Sequence, residues 1–176
     1  QQYRAGYDSA NRLAKVQYKL SPAWSGAFGN ARTYTYTYKA SDGSLTAMTA
    51  PGGSFAYTYD GLKRLTSRVL TVDGSTLLRR QYGYLAGAGS DGTTLLVGSL
   101  TNQKADGSAL RSDTYTYDAL GNITAISGST NASYTYDEQG QLLSETAGTG
   151  DDRYTVYYTY DASGNLICKT KEYTIE

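Results

Sequence analysis

Five aspartates recur in one sequence context, and their carboxylates are the first groups to weigh for chemistry. Each directly follows a tyrosine, and they are Asp8, Asp60, Asp118, Asp137 and Asp161. Carboxylates can bind calcium or act as general acids and bases. A calcium loop normally reads Asp-x-Asp-x-Asp-Gly, which this sequence lacks. A glycine three residues after the aspartate favours turn formation, because Asp accepts a hydrogen bond from the backbone two residues ahead.

The other residue types argue against catalysis. The sequence contains no histidine, which removes the commonest general base and the usual serine and cysteine triads. Its one cysteine, Cys168, therefore lacks a histidine partner and is interpreted as a structural or incidental thiol. Asp151 and Asp152 are interpreted as a solvated pair in a loop. We predict no catalytic residue, no metal site, no cofactor and no enzymatic activity.

The aspartates belong to a repeated motif, Tyr-Thr-Tyr-Asp-x-x-Gly-x-(Leu/Ile). It is complete at residues 115–123, 134–142 and 158–166. When Tyr82-Gly83-Tyr84 is counted as a lapsed copy, the copies recur at intervals averaging near 25 residues, which is typical of repeat proteins. The residues assigned to the structural motif are Tyr7, Asp8, Asn11, Tyr57, Tyr59, Asp60, Tyr115, Tyr117, Asp118, Gly121, Tyr134, Tyr136, Asp137, Gly140, Tyr158, Tyr160, Asp161 and Gly164.

Degenerate copies precede the complete ones and begin at Tyr7, Tyr36 and Tyr57. Asn11 and Lys63 occupy the glycine position in the first and third of these copies. Asparagine tolerates the left-handed backbone better than most residues. Lysine does not, and we expect Lys63 to cost about 1–2 kcal/mol if its turn keeps the motif geometry.

Each copy predicts a β-hairpin. Thr-Tyr-Thr-Tyr alternates with the period of a strand, and the Asp-x-x-Gly segment supplies a type I turn with a G1 bulge. Further turns are expected in the links, so the chain should form a continuous antiparallel meander. The stretch 85–100 is glycine-rich and is predicted to be a long loop followed by a short strand at 95–97. The link turns are assigned to Gly52-Gly53, Asp73-Gly74, Asp91-Gly92 and Asp106-Gly107.

The abundance of tyrosine indicates how the hairpins are joined. The sequence has 19 tyrosines and two phenylalanines, and tyrosine suits a sheet with one half-wet face. Tyrosines at one register are expected to align as cross-strand ladders of rings. The predicted fold is all-β, with repeated antiparallel hairpins forming a curved, twisted single-layer sheet.

The motif Tyr-x-Tyr-Asp-x-x-Gly-(Asn/Gln)-(Leu/Ile) resembles the YD repeat, or Rhs repeat, of bacterial Rhs and wall-associated proteins, insecticidal toxin complexes and animal teneurins. The resemblance covers nearly the whole chain and implies a β-sheet strip from a hollow shell, which in bacterial members encloses a C-terminal toxin. We therefore predict one array over residues 1–176, a fragment of a longer shell. In bacterial members the conserved core that ends the shell carries Asp-Pro-x-Gly elements and an aspartyl self-cleavage site. This sequence has no match to that core, since its two prolines, Pro22 and Pro51, lie in Ser-Pro-Ala and Ala-Pro-Gly.

The predicted function is a non-enzymatic structural segment of an exported bacterial protein, located outside the cell or on its surface. Its partners would be its parent shell and an enclosed C-terminal domain, and its exposed strand edges favour edge-to-edge self-association. Zero net charge argues against nucleic acid, and the short apolar runs argue against membrane insertion. The alternative is an extracellular carbohydrate-binding adhesion module, in which Trp24, Tyr18 and other exposed aromatic rings stack on sugars.

Overall fold

The structure is a computed structural model that describes residues 2–19, 31–87 and 92–174. It is all-β, with a single 3-10 turn at Gly150–Asp152 within the described residues. The strands are β1 Gln2–Tyr7, β2 Leu13–Lys19, β3 Arg32–Tyr38, β4 Leu45–Ala50, β5 Gly53–Tyr59, β6 Leu65–Val72, β7 Ser75–Ala86, β8 Thr93–Gln103, β9 Ala109–Tyr117, β10 Ile123–Gly128, β11 Ala132–Tyr136, β12 Leu142–Ala147, β13 Tyr154–Tyr160 and β14 Leu166–Tyr173.

The fourteen strands form one open antiparallel sheet. Their order in the sheet is their order in the sequence, from β1 at one edge to β14 at the other. Each motif strand pairs with its own return strand, and a bulge follows the turn, as between Ile123 and Ala125. The predicted all-β meander of hairpins is confirmed.

The chain divides into two compact units. The first comprises Gln1–Gln81 and Asn102–Leu110, and the second comprises Tyr82–Thr101 and Arg111–Glu176. Strands β1–β6 lie in the first unit and β10–β14 in the second. Each unit contains both motif strands and return strands. One continuous array over residues 1–176 stays a prediction.

Few side chains are buried, as expected where a sheet is not covered by a second layer. Among the described residues only Ala132, Val156 and Asp113 are less than a tenth exposed. Most motif tyrosines are half-buried against neighbouring strands of the sheet. Packing therefore depends on contacts between adjacent strands rather than on a thick apolar core.

The long loop predicted from residue 85 is wrong. Strand β7 continues to Ala86 and β8 begins at Thr93, so Gly98 of this stretch lies inside a strand. A Cβ at Gly98 would lie 2.7 Å from Leu85 Cδ2 on the facing strand. Glycine here permits close approach of two strands, a role that its frequency in loops conceals.

Of two predicted link turns, one lies at the predicted residues and the other is displaced by one residue. Asp73 and Gly74 form the expected two-residue loop, with φ values of 48° and 78° that identify a type I′ turn. The turn assigned to Gly52-Gly53 is displaced by one residue, because Pro51 and Gly52 form the loop and Gly53 begins β5. Proline followed by glycine at φ 87° fits a type II turn.

The turn at Asp106-Gly107 is longer than the predicted two residues. The Lys104 amide donates to the Ser108 carbonyl and the Gly107 amide to the Lys104 carbonyl, which leaves a three-residue loop. The Asp106 side chain accepts from the Ser108 amide at 2.8 Å and stabilises this wider turn. Asp91 lies outside the described residues.

Candidate functional site

The aspartate of the motif organises the hairpin turn. In the copy at Asp118, Oδ1 accepts hydrogen bonds from the amides of Leu120 and Asn122, both at 2.9 Å. The Gly121 amide donates to the Asp118 carbonyl, and the Asp118 amide donates to the Asn122 carbonyl. One carboxylate thus binds two backbone donors that the turn would otherwise leave unpaired.

The same two bonds recur in four further copies. In each, Oδ1 of the aspartate accepts from the amides two and four residues ahead, at distances of 2.8–3.0 Å. The donors are Ala10 and Arg12 for Asp8, Leu62 and Arg64 for Asp60, Gln139 and Gln141 for Asp137, and Ser163 and Asn165 for Asp161.

The residue four positions after the aspartate is a second partner, which the sequence reasoning missed. Arg12 Nε binds Asp8 Oδ2 at 2.8 Å, and Asn122 Nδ2 binds Asp118 Oδ2 at 2.9 Å. The equivalent contacts join Arg64 to Asp60 and Asn165 to Asp161. The available signal was the restriction of this position to Arg, Asn or Gln, whose side chains all donate hydrogen bonds.

These contacts favour the ionised carboxylate. The side chain and amide of Asn122 lower the pKa of Asp118, and the amide of Arg12, helped by its guanidinium, lowers the pKa of Asp8. At Asp60 partial burial raises the pKa, but the hydrogen bonds from Arg64 outweigh it and the net shift is downward. A carboxylate with a lowered pKa and occupied oxygens is a weak general base.

The left-handed position of the turn is glycine in some copies and not in others. Gly121, Gly140 and Gly164 have φ values of 86°, 79° and 83°. Asn11 and Lys63 adopt the same region at 59° and 63°. The anomaly expected at Lys63 is therefore present in the backbone, and its turn keeps the motif geometry.

The copy that begins at Tyr36 uses a different turn. Lys39 stands at the aspartate position, and Asp42 takes over the carboxylate role by accepting from the Ser44 amide at 2.9 Å. Lys39 Nζ lies 3.3 Å from Asp42 Oδ2. The Ser44 hydrogen bonds, with help from Lys39, lower the pKa of Asp42 to about 2.

In five copies of the motif the second tyrosine joins the copy to the strand before it. Its hydroxyl donates to a backbone carbonyl on the neighbouring strand, which in four cases belongs to the first residue of the preceding return strand. The five bonds are Tyr38 to Leu13 (2.9 Å), Tyr59 to Leu45 (2.9 Å), Tyr117 to Val97 (2.7 Å), Tyr136 to Ile123 (2.9 Å) and Tyr160 to Leu142 (3.0 Å). We call them the hydroxyl links.

The predicted ladder of ring-on-ring contacts is wrong. Successive motif strands are separated by a return strand, so their backbones lie about 9.5 Å apart, which is wider than the 4.5–7 Å between the centres of contacting aromatic rings. Within the described part of the chain the ring pairs are Phe55–Tyr57 and Tyr154–Tyr173. Each ring instead lies over the intervening strand, which places its hydroxyl at that strand's carbonyl.

The first tyrosine of the motif has no single fixed partner. Tyr57, Tyr115, Tyr134 and Tyr158 are half-buried, and the Tyr158 hydroxyl donates to Glu145 Oε2 at 3.3 Å. Tyr7, which occupies the second-tyrosine position of its copy, is 62% exposed. It lies on β1, which has a neighbour on one side only.

The face opposite the tyrosines carries paired hydroxyl groups. Threonines on adjacent strands hydrogen-bond across the bulge, for example Thr58 to Thr66 at 3.1 Å and Thr116 to Thr124 at 3.0 Å. Such cross-strand pairs add to the stability of the sheet. Further pairs are Thr35–Thr49, Thr101–Ser112, Thr135–Ser144 and Thr146–Thr155.

One buried carboxylate was missed by the sequence reasoning. Asp113 is 1% exposed, accepts from Arg111 Nε at 2.5 Å and from the Thr130 amide at 2.7 Å. The side chain of Arg111, with the Thr130 amide, holds the pKa of Asp113 below its usual value although burial opposes this. These contacts stabilise the loop between β10 and β11. Asp113 precedes the motif, and no turn signal marked it.

The remaining candidates do not form a reactive cluster. Within residues 2–19, 31–87 and 92–174 no group of three His, Cys, Asp or Glu side chains is arranged to hold a metal. Cys168, Asp151 and Asp152 are exposed, and Trp24 lies outside the described residues. An open cleft of about 310 Å³ at the ends of β10–β12 is lined mainly by Ala, Ser and Thr.

No helix in the described part of the chain is both long and apolar enough to span a bilayer.

One protein-family model matches part of the chain. The model of the RHS Repeat family matches residues 117–152, which contain the copy at Asp137 and most of the copy at Asp118. Comparison with curated proteins gives no significant match. The matched stretch includes the hydroxyl links of Tyr117 and Tyr136.

Solved structures of toxin complexes share the fold. A crystal structure of TcdB2-TccC3 with Cdc42 aligns over 96% of this chain at 18% identity with a TM-score of 0.55. The Photorhabdus luminescens Tc holotoxin pore aligns over 93% at 19% identity with a TM-score of 0.51. The chain spans 11% of the length of each of those chains. The family match covers residues 117–152, and the solved structures share the fold of nearly the whole chain.

Proposed function

We propose that this chain is a non-enzymatic wall segment of an exported bacterial RHS-repeat protein, and that the wall encloses or presents a C-terminal effector domain. The observation that carries the proposal is the set of hydroxyl links, which join successive hairpins in both units in the same way. A repeated link of this kind extends a sheet strand by strand, as a wall requires.

The chemistry of the motif supports a structural role. The aspartates are occupied by turn amides and by Arg or Asn side chains, so their carboxylates serve the backbone rather than a substrate. The structural relatives are components of Tc toxin complexes. By analogy, the partners of this chain are the rest of its parent wall and the domain enclosed by it, outside the cell or at its surface.

The test uses the full-length polypeptide of the gene that encodes this chain. Limited proteolysis should leave the C-terminal domain intact in the wild type and cleave it in the combined variant Tyr117→Phe, Tyr136→Phe and Tyr160→Phe, because those changes weaken the wall. Tyr157→Phe is the matched control, since Tyr157 is 47% exposed and lies on the opposite face.

Two results would contradict the proposal. One is a C-terminal domain that is cleaved as fast in the wild type as when expressed alone, or a polypeptide in which no such domain exists. The other is tight glycan binding by the folded chain that is lost on Tyr-to-Ala substitution without loss of structure. The second result would support the carbohydrate-binding alternative.

A further inference from the structure

The zero net charge of the chain conceals opposite charges on its two units. The first unit contains twelve basic and five acidic residues, whereas the second contains four basic and eleven acidic residues. The acidic residues of the first unit all lie in turns, at Asp8, Asp42, Asp60, Asp73 and Asp106. Seven of its basic residues lie in strands, so the charged side chains on the strands of the first unit are all basic.

Two of these basic residues face each other in the middle of the sheet. Arg68 of β6 pairs directly with Arg80 of β7, and both side chains are half-buried. Like charges in directly opposite positions destabilise a pair of antiparallel strands. Both strands have a neighbour on each side, so the two arginines lie away from the sheet edges.

Neutral groups hold the two guanidinium groups in place. Arg80 Nε donates to Asn102 Oδ1 at 2.8 Å, and Arg68 Cζ lies 5.1 Å from the centre of the Phe55 ring. Within the described part of the chain, neither arginine forms an ion pair with a carboxylate. A carboxylate from a partner would bind both guanidinium groups and remove the repulsion between them.

An apolar row adjoins the two arginines. It crosses β4, β5, β6 and β7 through the directly paired residues Met48, Phe55, Leu70 and Leu78. All four side chains are half-buried. Arg68 pairs with Tyr57, so the arginines and the row share the face that carries the motif tyrosines. Apolar side chains beside unpaired cations are typical of a surface that binds a partner.

We propose that the arginine surface, made of Arg68, Arg80 and the apolar row, binds an acidic and partly apolar segment of the C-terminal domain that the wall encloses. A carboxylate of that segment lies between the two guanidinium groups, and its apolar side chains cover Phe55 and Leu70. The choice of partner rests on the proposed function, in which the domain belongs to the same polypeptide and is held beside the wall at high effective concentration. The tyrosine face of the first unit is then the face that contacts the domain.

The apolar row favours a polypeptide over nucleic acid as the partner. A phosphate group fits between two arginines as well as a carboxylate does. The sugar-phosphate backbone, however, offers no apolar group to cover Met48 and Leu78, whereas a peptide carries acidic and apolar side chains side by side. The opposite face of the first unit has no such need of a cover, because its paired hydroxyl groups are satisfied by one another, as in Thr58 and Thr66.

Photo-crosslinking in the full-length polypeptide of the gene identifies the partner. A benzophenone amino acid in place of Leu78 should capture a peptide of the C-terminal domain that contains Asp or Glu close to the crosslink. The matched control has the same group in place of Arg79, which is exposed and lies on the opposite face, and should not capture that peptide. Replacement of Phe55 gives a second probe that retains an aromatic ring, should the change at Leu78 disturb the fold.

Charge reversal tests the arginines separately from the apolar row. Arg68→Glu combined with Arg80→Glu should reduce the yield of the crosslink about tenfold, because two attractive contacts become repulsive. Changing the acidic residues of the captured peptide to lysine should restore the yield in this double variant. Arg79→Glu is the matched control and should leave the yield unchanged, and circular dichroism should show the same fold in every variant.

Four outcomes would overturn the inference. They are capture of nucleic acid, capture of another part of the wall or of no peptide, equal capture from both faces, and failure of the lysine changes to restore the yield. None of these results alters the proteolytic protection of the C-terminal domain, so the wall proposal would stand. A domain that is unprotected in the wild type would contradict the wall proposal itself, and proteolysis detects that failure without the crosslink.

Discussion

The two units build the same hairpin with different turn chemistry. In the first unit the turns at Asp8 and Asp60 place Asn11 and Lys63 in the left-handed position and follow them with an arginine that binds the aspartate. In the second unit the turns at Asp118, Asp137 and Asp161 have glycine there, followed by Asn or Gln. The hydroxyl link is nevertheless the same in both units.

This comparison shows that the turn residues vary between the two units, whereas the hydroxyl links stay the same. A turn needs a residue that tolerates positive φ and a donor for the carboxylate, and several residue types meet these needs. The link needs a hydroxyl at the end of a flat ring of one length, which only tyrosine supplies among the common residues. We therefore expect the links to matter more than the details of the turns.

The largest effect is expected from removing the links. The combined variant Tyr117→Phe, Tyr136→Phe and Tyr160→Phe should lose about 3 kcal/mol of unfolding free energy, the sum of three bonds that each contribute about 1 kcal/mol. Urea denaturation measures this loss. Tyr38→Phe with Tyr59→Phe should cost the same amount per bond in the first unit. A per-bond cost that differs severalfold between the units would break the comparison.

Turns with glycine in the left-handed position should tolerate substitution there less well than turns with asparagine or lysine. Gly140→Ala should destabilise the protein by about 1–2 kcal/mol, because alanine is strained at φ 79°. Thermal unfolding checks the result. A Cβ at Gly140 meets only Asn122 atoms at 3.9 Å, so a clash cannot account for the loss. An unchanged melting temperature would mean that the second-unit turns have no special need of glycine.

The reverse change should stabilise the first unit. Lys63→Gly should raise the unfolding free energy by about 1 kcal/mol by relieving the strain at φ 63°. Asn11→Gly should change it by only a few tenths, because asparagine tolerates this region. Chemical denaturation of both variants gives the two values. A larger gain for Asn11→Gly than for Lys63→Gly would contradict the strain assigned to lysine.

Acid should weaken both kinds of turn. The folded-state pKa values of Asp8 and Asp118 are lowered, so their contribution is present above the unfolded-state value near 3.9 and is lost as pH falls through the folded-state value. The melting temperature should therefore decrease as the pH is lowered below about 4. Asp118→Asn should flatten this dependence while leaving an uncharged turn. A pH profile that is identical in wild type and variant would contradict the assignment.

The smallest expected effect is a difference in how salt changes the melting temperature through turns with an Arg–Asp ion pair and turns with an Asn–Asp hydrogen bond. The ion pair of Arg64 with Asp60 is partly exposed and should weaken as salt screens it, whereas the contact of Asn122 with Asp118 involves a neutral donor. Arg64→Asn should reduce the dependence of melting temperature on sodium chloride, and Asn122→Gln should leave it unchanged. Equal salt dependence in wild type and Arg64→Asn would show that the ion pair contributes nothing measurable.

Much of the local structure was predictable from the sequence. Period-two tyrosines and threonines give the strands, and Asp-x-x-Gly gives turns at Asp118 and Asp161 because these signals act within a few residues. The strand glycine Gly98 misled the prediction, since its role depends on the Leu85 side chain across the sheet.

The links were not predictable in the same way. Their acceptors are backbone carbonyls, which every residue carries, so no side-chain type marks them in the sequence. Tyr136 and Ile123 meet only once the strand order and register are known. Asp113 was missed for a similar reason, because its partner amide at Thr130 lies across a hairpin.

The most direct measurement is the solvent exchange of the tyrosine hydroxyl protons. With tyrosine labelled at 13Cζ and dissolved in an equal mixture of light and heavy water, a slowly exchanging hydroxyl gives two resolved carbon signals and a fast one gives a single averaged signal. We predict two signals each for Tyr38, Tyr59, Tyr117, Tyr136 and Tyr160, and one signal for the exposed Tyr3 and Tyr157. Averaged signals for all five would contradict the account.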